Sequence, residues 1–532
     1  MKFRDYGVLF ALSLVIYLGV AVHQSTPGYM DADYYYAGGL ELARGNGLVE
    51  MFIWNYLNEP AGIPHPGFAY WMPATALVAA AGMRLTGQIS FAGAQSIFVV
   101  LAAMIAPITA ALSYQWRPVR RSAFLAGGLA ALPAFYLPFL PTTDSFALYA
   151  LLGGFFILLA VRYVRGLNPF LAALITGLLA GGFHLSRADG VVWLGMGGIL
   201  LLYASKFEWR PGARYFRRVG ALLSLFLGGY LLIMLPWMVR NWIVFGALLS
   251  PSGGSALWIV EYNDLFIYPA EVLSFERWWA QGWQNILSTR WWALKINLQR
   301  TLAEQGLVML LPLMILGVWR LRREKLVRFA LLAWVVNFVV MTLVFPLQGA
   351  RGGYFHSAAA LLPFLYSVLP VGLDGLIMWG EQKRKWNFQR TWYFFAALSV
   401  GLAILLSGFT FRNQVLGSGM EGSPWDERAE TYSQVGQYIR RAAGGRARGV
   451  MVVNPPGYYL ATGEKAIAIP DTDLATARQI AQKYEIPFLV LEPQHPQAFG
   501  PVYENPDHAP AGFELIGRVG EILILRFQTG QP

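Results

Sequence analysis

Apolar stretches of roughly membrane-crossing length recur along this chain with short basic runs between them, and nothing in the sequence constrains the fold more. A helical crossing of the hydrocarbon core needs about 20 apolar residues. Reading between the basic runs gives eleven spans, near 7–23, 90–115, 122–140, 143–164, 169–186, 189–205, 218–239, 303–319, 329–347, 356–378 and 391–411, several of them short for a straight crossing. Of the 532 residues, 56% are hydrophobic and 13% charged, whereas soluble chains carry about 25% charged residues. Most of the chain therefore belongs in lipid. A cleaved signal peptide would account for 7–23 but for none of the later segments.

The net charge of +11 raises nucleic acid as a partner, and its placement argues against one. Lys2 and Arg4, Arg117 to Arg121, Arg162 and Arg165, Lys206 to Arg218, Arg320 to Arg328 and Lys383 to Arg390 hold 21 of the 41 Lys and Arg. Against the four acids beside them they leave a net of +17 there and −6 elsewhere. Basic loops on one side are the positive-inside signature. The expected orientation has a cytoplasmic amino terminus and an extracytoplasmic carboxyl terminus, in a bacterial-type inner membrane. The stretch 66–86 is apolar enough to cross, but crossing would invert every later basic run, so it is expected to be a juxtamembrane or re-entrant helix. Cysteine is absent, which excludes disulfides and thiolate metal sites.

Residues 1–411 are thus expected to form a membrane module with two outer loops, 24–89 and 240–302, the second rich in tryptophan as suits the headgroup layer. The remainder, 412–532, is expected to form an outer α/β domain. Its helices should lie at 427–443 and from Asp473 to Tyr484, with strands at 450–453 and 488–491 and a hairpin over 513–527 turning near Gly520. It contains no phosphate loop, nucleophile elbow or metal-ligand spacing.

Chemistry concentrates where the first span ends, in Tyr29-Met30-Asp31-Ala32-Asp33-Tyr34-Tyr35-Tyr36. Ionisable groups at a membrane boundary are costly unless they meet water, partners or substrate. Asp144, in Pro141-Thr142-Thr143-Asp144, is expected at the same boundary, although a helix cap would also explain it. Asp33 reads equally as a solvated loop carboxylate, and Arg187 with Asp189 as a structural ion pair. His65 and His356 together with the carboxylates would suit a divalent cation such as zinc or manganese; solvated loop histidines are the plainer reading.

The pattern Asp-x-x-x-Tyr, then Leu42-Ala43-Arg44-Gly45, a proline-containing loop and an apolar helix, resembles the first outer loop of the GT-C polytopic glycosyltransferases. It is closest to the bacterial branch related to protein O-mannosyltransferases and lipid A aminoarabinose transferases. Asp144, Ser186-Arg187-Ala188-Asp189, Pro236-Trp237-Met238-Val239-Arg240-Asn241 and Gly349-Ala350-Arg351-Gly352-Gly353-Tyr354 are similar, in the same order, to later segments of that family. The resemblance implies a mainly α polytopic fold with an outer α/β domain. It implies an inverting enzyme that moves a sugar from a polyprenyl-phosphate donor to a lipid, glycan or protein acceptor. Asp31 takes the position of the family's catalytic aspartate. Its usual acidic neighbour is replaced by Ala32, with Asp33 one place later, so either carboxylate is a candidate base, with Asp144 assisting. Arg351, Arg240 and Arg187 are candidates to hold the donor phosphate bidentately. Tyr35, His65, Tyr354 and His356 are candidates for substrate binding. A flippase of lipid-linked sugars and a non-catalytic scaffold are the alternatives. A flippase should show inverted repeats and charges deep within its spans, whereas here the candidates gather at one face.

Overall fold

The structure is a computed structural model that describes residues 1–204, 212–417, 423–445, 448–508, 510 and 512–528. From the amino terminus come α1 (Phe3–Ala21), α2 (Met30–Arg44), α3 (Ala74–Thr86), α4 (Phe91–Trp116), α5 (Arg120–Ala131), α6 (Phe146–Val164), α7 (Pro169–Ser186), α8 (Val191–Ala204) and α9 (Ala213–Phe245). The second connecting region holds α10 (Phe275–Ala280) and α11 (Gly282–Arg300). Next are α12 (Leu311–Arg320), α13 (Lys325–Val339), α14 (Pro346–Gln348), α15 (Tyr354–Ala358), α16 (Leu362–Arg384) and α17 (Phe388–Phe411), then α18 (Glu427–Ala442), α19 (Pro455–Thr462) and α20 (Leu474–Lys483).

Among the described residues eight helices are long and apolar enough to cross a membrane. They are α1, α4, α6, α7, α9, α13 extended to Val344, the run Pro346–Arg384 and α17 extended to Leu416. The three other expected spans coincide with shorter helices. At 122–140, α5 has 12 residues, because Leu132 precedes Pro133 and leaves the helical region at ψ 63°. At 303–319, α12 has 10, because Leu307 and Val308 adopt positive φ just before it. At 189–205, α8 has 14 described residues.

The basic runs gather at one end of the bundle. Arg120 pairs with Asp5 at the start of α1 (2.7 Å), Arg117 with Asp374 in α16, and Arg165 donates to the carbonyl of Gln115 (2.9 Å). Arg121 lies over Trp392 at the start of α17 (4.6 Å). The part of the basic run at 206–211 lies outside the described residues. The segment 66–86 yields only the 13-residue α3, about 20 Å long against a hydrocarbon core of about 30 Å, packed on α2 and α4.

At the opposite end sits a six-stranded sheet of order β2-β5-β4-β6-β8-β7, made of β2 (Phe52–Ile53), β4 (Val450–Val452), β5 (Ala466–Ala468), β6 (Phe488–Leu491), β7 (Phe513–Val519) and β8 (Ile522–Phe527). Strands β2, β5, β4 and β6 are parallel, and β8 and β7 close the sheet antiparallel. A separate two-stranded ladder joins β1 (Val49–Glu50) to β3 (His65–Pro66). Alternate residues face opposite sides: Val450, Val452 and Val490 join the core with α18 and α19, while Met451, Leu489 and Leu491 join the core with α20. The expected helices, strands and hairpin of the tail are present, the hairpin turning at Gly520 with φ +57°. Two features differ from expectation. Asn454 caps α19, accepting from the Gly457 amide (3.2 Å), so a helix directly follows β4, and β2 is supplied from the segment between α2 and α3.

Candidate active site

Helix α2 begins at Tyr29 in an extended conformation, which puts Asp31 and Asp33 in its first turn, beside amides the dipole makes positive. Gly45 ends it in the left-handed region at φ +89°. The two aspartates diverge, because residues two apart are about 200° apart around a helix. Asp31 opens into a cavity of about 600 Å³ at the sheet end of the bundle. Asp33 points the other way and accepts from the side-chain amide of Asn454 (2.8 Å). The structure thus places Asp33 outside the cavity wall, at the seam between α2 and α19.

The loop between α5 and α6 docks on the start of α2. Thr142 donates to the carbonyl of Pro27 (3.2 Å) and Thr143 to that of Ala32 (3.0 Å). This brings Asp144 alongside Asp31. Asp144 is wholly buried and accepts from Tyr29 (2.6 Å), from His356 Nε2 (2.9 Å) and from the hydroxyl and amide of Ser145. The cap of α6 is Ser145, so the helix-cap reading of Asp144 gives way to a carboxylate held by its neighbours. His356 Nε2 also lies 3.6 Å from Asp31 Oδ2, and one ligand atom from each of Asp31, Asp144 and His356 falls within 4.8 Å of the others. Asp31 is the open member, with 35% of its side chain exposed. Burial, opposed by His356 and helped by Asp144, raises its pKa to about 6.

Arg351 lines the same cavity from a widened turn, Gly349–Gly353, between α14 and α15. Gly352 has φ +129°, a conformation that suits glycine, and the turn aims Arg351 across the ring of Tyr262 at 5.3 Å. Arg187 lines the cavity too, tied to Asp189 (2.8 Å) beside Tyr149. Tyr35 is in the wall, tilted on Trp71 at 5.3 Å.

Besides Asp33, three expected residues lie elsewhere. Arg240 stacks between Trp237 and Phe245 (4.9 Å each) and donates to the carbonyl of Leu48 (3.2 Å), which makes it a brace for the first loop. His65 is buried against the carbonyl of Phe52 (2.9 Å) with Glu50 3.6 Å away, so it joins no cluster with Asp31. Tyr354 is buried against Thr301 (3.0 Å) and Phe338. Other wall residues carried no signal in the sequence: Tyr262 and Asn263 from the tryptophan-rich region, and Asp471, Gln494 and His495 from the tail.

No protein-family model matches the sequence, and no curated protein is similar to it. Solved structures are. ArnT from Cupriavidus metallidurans bound to undecaprenyl phosphate superposes over 99% of this chain and 98% of its own, with a TM-score of 0.59 at 12% identity. The oligosaccharyltransferase of Archaeoglobus fulgidus superposes over 92% of this chain and 70% of its own, with a TM-score of 0.53 at 13% identity, and its complex with Zn and sulfate gives 0.55. This chain has the GT-C fold. At such identity the likeness is one of architecture, and it covers both the helical bundle and the sheet. The cavity lies where the start of α2, the segment between α2 and α3, the turn after α7 and the turn before α15 meet the residues that follow β4, β5 and β6.

Proposed function

We propose that this protein is an inverting glycosyltransferase that moves a sugar from a polyprenyl-phosphate donor to an acceptor hydroxyl. The observation that carries the reading is that Asp31, His356 held by buried Asp144, and Arg351 converge on one cavity at the sheet end of a lipid-spanning bundle. A carboxylate whose pKa desolvation raises above the ordinary range is a better proton acceptor than a free aspartate. Asp31 takes the acceptor hydroxyl's proton as that oxygen bonds to the anomeric carbon. The bond from that carbon to the phosphate oxygen breaks, and the electron pair leaves with the phosphate. The Arg351 guanidinium, presented between glycines, holds the phosphate oxygens bidentately as their charge grows. Arg187, neutralised by Asp189, tunes the wall instead. Asp33 positions α2 rather than acting as base.

The positive-inside bias puts the basic end in the cytoplasm, and the cavity with residues 412–532 on the outer face of the inner membrane. The acidic cluster also fits a divalent cation. His356 Nδ1 faces the Gly352 carbonyl (3.0 Å) while Nε2 faces Asp144 (2.9 Å), and a neutral imidazole has one proton for these two acceptors. With Nδ1–H on the carbonyl, Nε2 becomes a ligand beside two carboxylates, a donor set suited to zinc or manganese. A cation there would supply Lewis acidity toward donor phosphate.

The test is sugar transfer from an undecaprenyl-phosphate-linked donor by membranes carrying Asp31→Asn. Loss of at least about 100-fold is expected for a missing general base; turnover near that of the unaltered protein removes Asp31 from the mechanism.

A further inference from the structure

The parallel strands β4, β5 and β6 all run toward the cavity, and the residues just past their carboxyl ends form its far wall: Val453, Ile469, Asp471, Gln494 and His495. Loops at the carboxyl ends of parallel strands are where open α/β sheets hold ligands. None of these groups is needed to hold a lipid phosphate. Asp471 offers carboxylate oxygens and Gln494 an amide. His495 Nδ1–H donates to the Glu492 carbonyl (2.7 Å), leaving Nε2 as an acceptor. Beside them, just past the carboxyl end of β2, Trp54 begins an aromatic platform, lying 4.7 Å from Trp71 and 5.2 Å from Tyr70. Hydrogen-bond acceptors beside aromatic rings suit a molecule with many hydroxyls on one edge and C–H groups on its faces.

The wall is also linked to Arg351 through one short helix. The short helix Tyr262–Phe266 has Tyr262 under Arg351 (5.3 Å), while the Phe266 carbonyl accepts from the Asp471 amide (3.1 Å). Four steps at the 3₁₀ rise of about 2.0 Å per residue put the two ends of this helix, one under Arg351 and the other bonded to Asp471, about 8 Å apart along its axis. A peptide laid along a strand edge has no such fit. The sheet edge nearest the cavity is β2, two residues long, with the Phe52 carbonyl already bonded to His65. Acidic neighbours near Asp471, namely Asp264 and Glu261, disfavour an anionic ligand.

Resting on the transferase reading above, we propose that the acceptor is a carbohydrate, neutral or amine-bearing, held by Asp471, Gln494 and His495 against the Trp54–Trp71 platform. The experiment is an array of neutral, amino- and uronic-acid di- to hexasaccharides and Ser/Thr peptides, probed with the full chain in lipid nanodiscs, with undecaprenyl phosphate titrated separately. Retention of neutral or amino sugars is expected, weakened about tenfold by Asp471→Asn and separately by Gln494→Ala, as for loss of one strong hydrogen bond, with melting midpoints unchanged. Blank glycan spots, preferential retention of uronic sugars or peptides, or retention that neither variant moves would overturn it. Undecaprenyl phosphate binding with a blank array removes only the acceptor assignment. Absent undecaprenyl phosphate binding removes the transferase reading, and glycan retention then stands or falls on the two variants.

Discussion

Asp33→Asn separates the two carboxylates of α2 by their energetics. Asp33 is 7% exposed, and burial, only partly offset by the Asn454 hydrogen bond, raises its pKa from 3.8 to about 7. A carboxyl whose pKa is raised on folding keeps in the folded state a proton that the unfolded chain releases. Its contribution is therefore fully present below 3.8 and lost as pH rises toward 7. At about 1.4 kcal/mol per unit, the loss is about 4 kcal/mol between pH 4 and pH 8. Asparagine cannot ionise, and its amide oxygen still accepts from Asn454. The variant should thus gain on the unaltered protein by about 4 kcal/mol over that range, which for a chain of 532 residues is a relative rise of roughly 4 °C in Tm. The assay is thermal unfolding of both proteins in detergent from pH 4 to pH 8, with transfer activity measured at pH 7.5. Parallel melting curves would refute the buried-acid argument. Loss of transfer in Asp33→Asn at full stability would return Asp33 to the chemistry.

Arg351→Lys keeps the charge but not the planar fork, so KM for the lipid-phosphate donor should rise about tenfold, with melting unchanged; an unchanged KM moves the phosphate contact elsewhere. Gly352→Ala meets no atom within 4 Å but must hold φ +129°, costing about 1–3 kcal/mol, so a lower Tm should accompany a higher donor KM. Arg277 clamps Asp264 with two 2.8 Å bonds at the turn that carries Tyr262. The Asp264 carboxyl, pushed up by burial but held down more strongly by Arg277 and by the amides of Val260 and Glu261, lies below its ordinary value of 3.8. The stability it lends is present above pH 3.8 and fades as pH falls beneath that. Arg277→Ala should flatten that acid limb of the melting profile and raise donor KM more than it lowers kcat.

The bundle was legible because crossing lipid imposes length and apolarity on every span. The sidedness of the basic runs was legible for the same reason, and the contacts of Arg117, Arg120 and Arg165 bring them to one end. The sheet was legible at β4 and β6, which are short apolar runs next to turn residues, and at the β7–β8 hairpin. Strands β2 and β5, of two and three residues, have too little pattern to be read, and with them went Asp471 and the far wall of the cavity. The placements of Asp33 and Tyr354 share one cause. Asp31 and Asp33 are both candidate bases on the sequence, and Tyr354 and His356 both candidate substrate contacts, yet each pair sits on a helix two residues apart. About 200° of rotation separates such residues, so a helix that presents one to the cavity must bury or divert the other. Asp31 and His356 face each other at 3.6 Å while Asp33 meets Asn454 and Tyr354 meets Thr301. A single shift in the start of α2, by one residue, would turn both aspartates about 100° away from these partners. The seam of Asp33 with Asn454 and of Glu41 with Tyr459 (2.7 Å) fixes that rotation, and the sheet domain thereby sets the aim of the carboxylate in the membrane module.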